Sequence, residues 1–196
     1  SHLNNLKGKI AELLEKLHNE NPLKIGFSAS EVHSRLKPPV ERKLFDHGCK
    51  FLHNEEHIDL HGDRISLRSH AIQLSPEHKA IREKIEKALT ASLLMPPGQR
   101  EITAGLGKDG EKVFALMIDS GDVVRLEQDI VMHRSAIERA KQEITKLLVA
   151  KHQAGLGEIR EYLGITRKFA LPLLLHLDGI GFTERDGDVR RLRSAT

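Results

Sequence analysis

The sequence predicts an α+β fold, mainly helical, made of three copies of one helix-and-hairpin unit. Three observations predict it. Long stretches carry apolar residues at helical spacing. An apolar residue, three positions and a glycine recur at Leu44-x-x-x-Gly48, Met117-x-x-x-Gly121 and Leu177-x-x-x-Gly181, and glycine suits a left-handed helix C-terminus. After each of these glycines comes a short apolar strand, a polar turn and an alternating return strand, the pattern of a hairpin. Helices followed by a two-stranded wing, repeated, predict three tandem winged helix-turn-helix domains.

The elements follow in order. Leu6 to His18 places Ile10, Leu13, Leu14 and Leu17 on one helical face. The first strand pair is expected at Lys50-Phe51-Leu52 and His57-Ile58-Asp59-Leu60, with its turn at His53-Asn54-Glu55-Glu56. Pro76 to Leu94 is a second long helix, with Ser75 as N-cap and Pro76 at its first position. Its wing is expected at Val123–Leu126 and Asp129–Met132, turning at Glu127-Gln128. Arg134 to Lys151 repeats the long helix with Ile137, Ala140, Ile144, Leu147 and Leu148. Boundaries fall near Ile72 and Arg134. The domains are therefore 1–72, 73–134 and 135–196, each of a size that folds alone only marginally.

Composition sets the outer limits. Among 196 residues the hydrophobic share is 39% and the aromatic share 4%, with no Trp, so the cores must be Leu, Ile and Val. The formal net charge of +3 is mildly basic, so a polyanion site must be a local patch. The single Cys49 excludes an intramolecular disulfide framework and fits a reducing cytosol. No apolar run reaches the ~18–20 residues of a membrane span. No signal peptide is visible in the polar N-terminus. Ser1-His2 reads as the remnant of an expression tag, which implies a piece of a longer protein.

The last thirty residues carry the chemistry. Leu163 to Leu192 reads as a turn at Gly164, a helix opened by Thr166-Arg167-Lys168, and a hairpin turning tightly at Asp186-Gly187 between Arg185 and Arg190-Arg191. A helix start offers orphan N–H donors and the positive end of a dipole. Arg167 and Lys168 add formal charge there. On an alternating strand Arg190 and Arg191 point to opposite faces and cannot share one role. RNA is read at unpaired loops by stacking and base-edge hydrogen bonds, and the unit has few platforms: Tyr162, which could stack or cover a loop, and Phe169 and Phe182, which fit a core better. Glu184 and Asp186 dilute the positive field, and Asp186 reads as a turn residue. Pro172 inside the helix removes an N–H and crowds the carbonyl of Lys168, which predicts a bend.

Thr166-Arg167-Lys168, Pro172-Leu173-Leu174, Leu177-Asp178, Thr183-x-Arg185 and Gly187-Asp188-x-Arg190 together resemble the C-terminal winged helix of the bacterial selenocysteine-specific elongation factor, SelB. Gly26 to Ser30-Glu31-Val32 resembles that family's upstream winged helices more weakly. The family carries a GTPase part followed by tandem winged helices, and this chain resembles the tail alone. The resemblance implies binding of the mRNA hairpin that recodes UGA as selenocysteine, the SECIS element. The last winged helix would contact phosphates and take up loop bases, and the upstream ones would act as spacers. It implies an RNA-binding set of Arg167, Lys168, Thr166, Arg185, Gly187, Asp188, Arg190 and Tyr162. Arg190, with weaker support Arg193, is the expected wing phosphate contact, and Asp188 a base contact or an arginine-orienting one. The chain is expected to be non-catalytic, cytoplasmic and monomeric, without cofactor, metal or membrane contact, meeting the ribosome as part of the full-length factor. The alternatives from the fold are a DNA-binding transcription regulator and a protein-interaction scaffold.

Other signals are weaker. Gly105-Leu106-Gly107-Lys108-Asp109-Gly110-Glu111-Lys112 resembles a phosphate loop but lacks the Lys-Ser/Thr ending, so it reads as a turn in the second unit's helix-turn-helix. His47, Cys49, His53, His57 and His61 cluster without the spacing of a closed zinc site. No nucleophile–base–carboxylate set stands out, and Lys79 to Lys87 reads as a solvated helix face.

Overall fold

The structure, a computed structural model, describes residues 2–193, so Ser1 lies outside the described residues. They form two compact units that divide after Ser75.

The first unit runs α1 (His2–Glu20), β1 (Phe27–Ser28), α2 (Ala29–Arg35), α3 (Arg42–Asn54), β2 (Ile58–His61) and β3 (Arg64–Leu67). Its antiparallel sheet has the order β1-β3-β2. Ile10, Leu14 and Leu17 of α1 meet Phe45, Cys49 and Leu52 of α3, with Val32, Ile58 and Ile65 completing the core. Ser28 caps α2, its hydroxyl accepting the Glu31 N–H at 3.1 Å. Glycine is required at Gly26, because a Cβ there would stand 2.9 Å from the Ile65 carbonyl oxygen.

The first hairpin is not where the glycine pattern predicts it. Lys50 to Asn54 is the end of α3, and the wing is β2 and β3, turning at Gly62-Asp63. Gly48 does not close a helix. It is buried within α3, where a Cβ would lie 3.2 Å from Ile10 Cδ1, so it lets α1 approach. The left-handed residue after α3 is Glu56, with φ 61°. A non-glycine at that position hid the true helix end.

The second unit holds two further runs of the same kind. The first is α4 (Pro76–Ala91), α5 (Gln99–Thr103), α6 (Gly107–Asp119), β4 (Val123–Glu127) and β5 (Ile130–His133). The second is α7 (Arg134–Lys151), β6 (Ala154–Gly155), α8 (Leu156–Leu163), α9 (Arg167–Gly179), β7 (Thr183–Asp186) and β8 (Val189–Leu192). The chain is thus an α+β fold of tandem winged helices. Gly105 and Gly107 have φ of 83° and 67° and form the turn into α6, not a phosphate loop. The β4–β5 turn is Gln128-Asp129, one residue later than expected.

Between the two runs there is no linker. β5 passes directly into α7 at His133-Arg134, and the His133 ring caps the helix by accepting the Ser135 N–H. Met132 belongs to the core of α7, α8 and α9, and Leu94, Val124 and Leu126 pack against it. The middle wing and the last helices therefore share one apolar core.

Candidate nucleic-acid interface

α8 ends at Gly164, a left-handed residue with φ 64°. The N–H of Ile165 donates to Arg160 O at 3.1 Å, and the Ile165 side chain is buried. That plug turns the chain so that Thr166 becomes the extended N-cap of α9. The Thr166 carbonyl accepts from the N–H groups of Phe169 and Ala170 at 3.1 and 3.0 Å, while its hydroxyl makes no capping bond. The first N–H groups of α9 are thus left for an outside acceptor.

The side chains around this helix start are exposed. Thr166, Arg167 and Lys168 all face solvent. Lys168 Nζ sits 5.4 Å from the centre of the Phe169 ring and Phe169 packs against the core. Three arginines of the last winged helix are paired with carboxylates. Arg160 meets Glu161, Arg191 meets Asp186 at 3.1 Å, and Arg190 meets Asp178 at 2.9 Å. Arg167 and Lys168 have no carboxylate partner among the described residues. Pro172 lies inside α9, which runs through it to Gly179, and Pro172 itself is buried.

The wing differs from the sequence expectation at its centre. The two-residue turn is Gly187-Asp188, because Asp186 still pairs with Val189. Only Gly187 of the two has positive φ, 58°, as in hairpin turns with Gly at the first central position. Asp186 belongs to β7. Arg185 is exposed, and its Nε–H donates to Gly187 O at 2.8 Å, which fixes the guanidinium beside the turn. Gly187 and Asp188 are exposed as well.

Arg190 points inward. It is 3% exposed. Its Nε–H lies 3.2 and 3.0 Å from the Asp178 carboxylate oxygens. Thr183 donates its hydroxyl to the same carboxylate at 2.6 Å. The expected wing phosphate contact is therefore corrected: this guanidinium is tied to the Asp178 carboxylate at the end of α9, which holds both wing strands, and does not face solvent. Alternation did separate Arg190 from Arg191, and Arg191 is the exposed one. The signal for the inward face was available, since Arg190 has the parity of Leu192, which packs on the core. Asp178, absent from the expected set, is the acceptor that makes the burial tolerable. Arg193 is exposed, its guanidinium 3.0 Å from where a Cβ on Gly181 would sit.

Tyr162 is 47% exposed and borders an open cavity of about 330 Å³ with Leu93, Met95, Arg139, Glu143 and Ile165. Lys146, 2.8 Å away, holds the Glu143 carboxyl below the usual range, with help from Arg139 and the Tyr162 hydroxyl. The structure thus gathers Tyr162, Thr166, Arg167 and Lys168 around the α8–α9 turn. Arg185, Gly187 and Asp188 form a separate group at the wing tip.

The histidine and cysteine cluster of the first unit is not brought together. His47 stands edge-on to Phe51 and His53 meets Ile58 O at 3.0 Å. Cys49 faces the core, where burial pushes its thiol up to about 12.

Two family models described as elongation factor SelB, winged helix, match this chain. The model of the second such domain covers residues 11–67 and that of the third covers 146–192. Together they span more than half of the chain. The chain belongs to the SelB winged-helix family. All eight expected RNA-binding residues fall inside the stretch matched by the third SelB domain. A selenocysteine-specific elongation factor from Desulfomicrobium baculatum is 25% identical over 194 residues, covering 97% of this chain and 31% of that protein. The chain thus spans about a third of the length of that relative. The crystal structure of a bacterial selenocysteine-specific elongation factor shares the fold, with TM-score 0.57 and 20% identity over 99% of this chain and 30% of the other. The mRNA-binding domain of E. coli SelB in complex with SECIS RNA aligns with TM-score 0.49 and 25% identity, covering 62% of this chain and all of that one.

Proposed function

We propose that this chain is the non-catalytic, RNA-binding tail of a cytoplasmic selenocysteine-specific elongation factor. Its three winged helices span 1–72, 73–134 and 135–196, and the last of them holds the SECIS mRNA hairpin beside a recoded UGA codon. The observation that carries this is the start of α9, where two exposed, unpaired cations flank uncapped N–H groups in the stretch matched by the third SelB domain. N–H groups at a helix start together with arginine and lysine suit phosphate oxygens. Arg185, Gly187 and Asp188 would meet the RNA at the wing tip, and Tyr162 would offer a ring to an unstacked base. Arg190 positions the wing through Asp178. The full-length factor would carry this monomeric tail to the ribosome. No helix among the described residues is long and apolar enough to cross a membrane.

A salt-resolved titration tests the proposal, with a hairpin RNA bearing an unpaired loop, the same stem with a closed loop, and duplex DNA. The open-loop hairpin should bind best, and changing its loop bases should remove the preference. Arg167→Ala and Lys168→Ala should each lower the slope of log affinity against log salt by roughly 0.7–0.9, one phosphate contact. Equal binding to duplex DNA would refute the reading.

A further inference from the structure

The first unit has an exposed helix face that the role of spacer does not explain. In α3 the buried side is Phe45, Gly48, Cys49 and Leu52. Helical periodicity then places Lys43, His47, Lys50 and Asn54 along the opposite crest, and all four are exposed. No carboxylate lies on that crest. Lys43 and Lys50 have no carboxylate partner among the described residues, whereas Arg42 at the flank is paired with Asp46 at 2.8 Å. The lysines lie two helical turns apart, about 10.5 Å along the axis.

Beside the crest Phe51 is 38% exposed. His47 stands edge-on to it with centroids 4.8 Å apart, and Lys7 Nζ lies 6.0 Å from its centre. Lys7 is itself tied to Glu55 at 2.6 Å. Leu44 adjoins Phe51 on the same flank and is 43% exposed. Large apolar side chains at a helix surface beside unpaired lysines suit single-stranded nucleic acid: phosphates on the lysines and a base on the ring.

We propose that this face of α3 is a second RNA site, for a single-stranded segment, with Lys43 and Lys50 on phosphates and Phe51 as the stacking platform. It differs from the α9 site in position, and it does not require the SECIS reading to hold. An acidic protein segment would satisfy the lysines but has no use for an aromatic ring flanked by a histidine edge, so RNA is the better occupant.

The test uses the full chain with Arg167→Ala and Lys168→Ala, which removes the two cations at the start of α9, and a short fluorescent oligouridylate as probe. Salt-sensitive binding should persist in this background. Adding Lys43→Gln and Lys50→Gln should weaken it at least fivefold and lower the salt slope by about 1.4, two contacts at about 0.7 each for a single strand. Ultraviolet cross-linking should label the peptide containing Phe51, and Phe51→Leu should remove the label while circular dichroism stays unchanged. Any one of three results would overturn the proposal: no residual binding in the background, affinity indifferent to Lys43→Gln and Lys50→Gln, or a polyglutamate peptide or duplex DNA binding as well as the oligouridylate.

Discussion

Arg190 and Asp178 offer the sharpest test of how the last winged helix is held. Replacing Asp178 by Leu leaves a guanidinium that is 3% exposed without its acceptor. Breaking a buried pair in this way costs about 3–5 kcal/mol, and the Thr183 hydroxyl, which donates to the same carboxylate, adds about 1 kcal/mol if left unpaired. Asp178 keeps 18% exposure, so some water reaches the gap, and the lower end, about 3–4 kcal/mol, is the expected total. For a unit of this size each kcal/mol moves Tm by roughly 3–5 °C, which gives a fall of roughly 9–20 °C in the transition of the second unit. Arg190→Met should cost less, about 2 kcal/mol, because the remaining carboxylate keeps the Thr183 hydroxyl and some water. The double variant should be within about 2 kcal/mol of the parent, since apolar groups of similar volume replace an ion pair at little cost. Scanning calorimetry of the full chain and its three variants measures the cycle. A coupling below about 0.5 kcal/mol would refute the idea that the pair fastens the wing to α9. The same double variant separates the two roles of Arg190: hairpin affinity should stay within threefold of the parent, and a tenfold loss in a folded protein would mean that Arg190 reaches the RNA after all.

Other outcomes follow from particular contacts. Gly48→Ala should change stability by less than about 1 kcal/mol, because Ile10 Cδ1 at 3.2 Å need yield only slightly. Gly48→Leu should destabilise the first unit by about 1–3 kcal/mol or more by forcing α1 from α3, read from urea midpoints. His18 is stacked on His70 with centroids 3.8 Å apart, and burial, helped by His70, lowers its pKa from 6.5 to about 4. The unfolded chain takes up that proton first. Stability is therefore full above pH 6.5 and falls as pH drops toward 4; the urea midpoint of the first unit should decline between pH 6.5 and 5, and His18→Gln should flatten that decline.

Periodicity and glycine placement made much of the fold legible. The α7 span of Arg134 to Lys151, the Pro76 start of α4, the Gly164 turn and the Thr166 cap could all be read directly, because each rests on a local signal. The first wing could not. Its marker, glycine after the helix, was missing where Glu56 takes the left-handed conformation and present at Gly48, which lies mid-helix against Ile10 of α1. The same residue type served two physical purposes, and only the contacts tell them apart.

The candidate site divides in the same way. Arg167 and Lys168 at a helix start were legible because charge and helix polarity are both local properties of the chain. Sequence alternation determined that Arg190 and Arg191 face opposite ways. Which of them is buried was decided by Asp178, distant in sequence and brought opposite β8 by the packing of α9. The exposed crest of α3 likewise emerged only once residues 50–54 proved to be helix. Local conformational preferences are written residue by residue. The pairing of a buried charge, and the choice of face turned to water, belong to the tertiary structure, because a side chain's desolvation depends on neighbours that the linear order does not name.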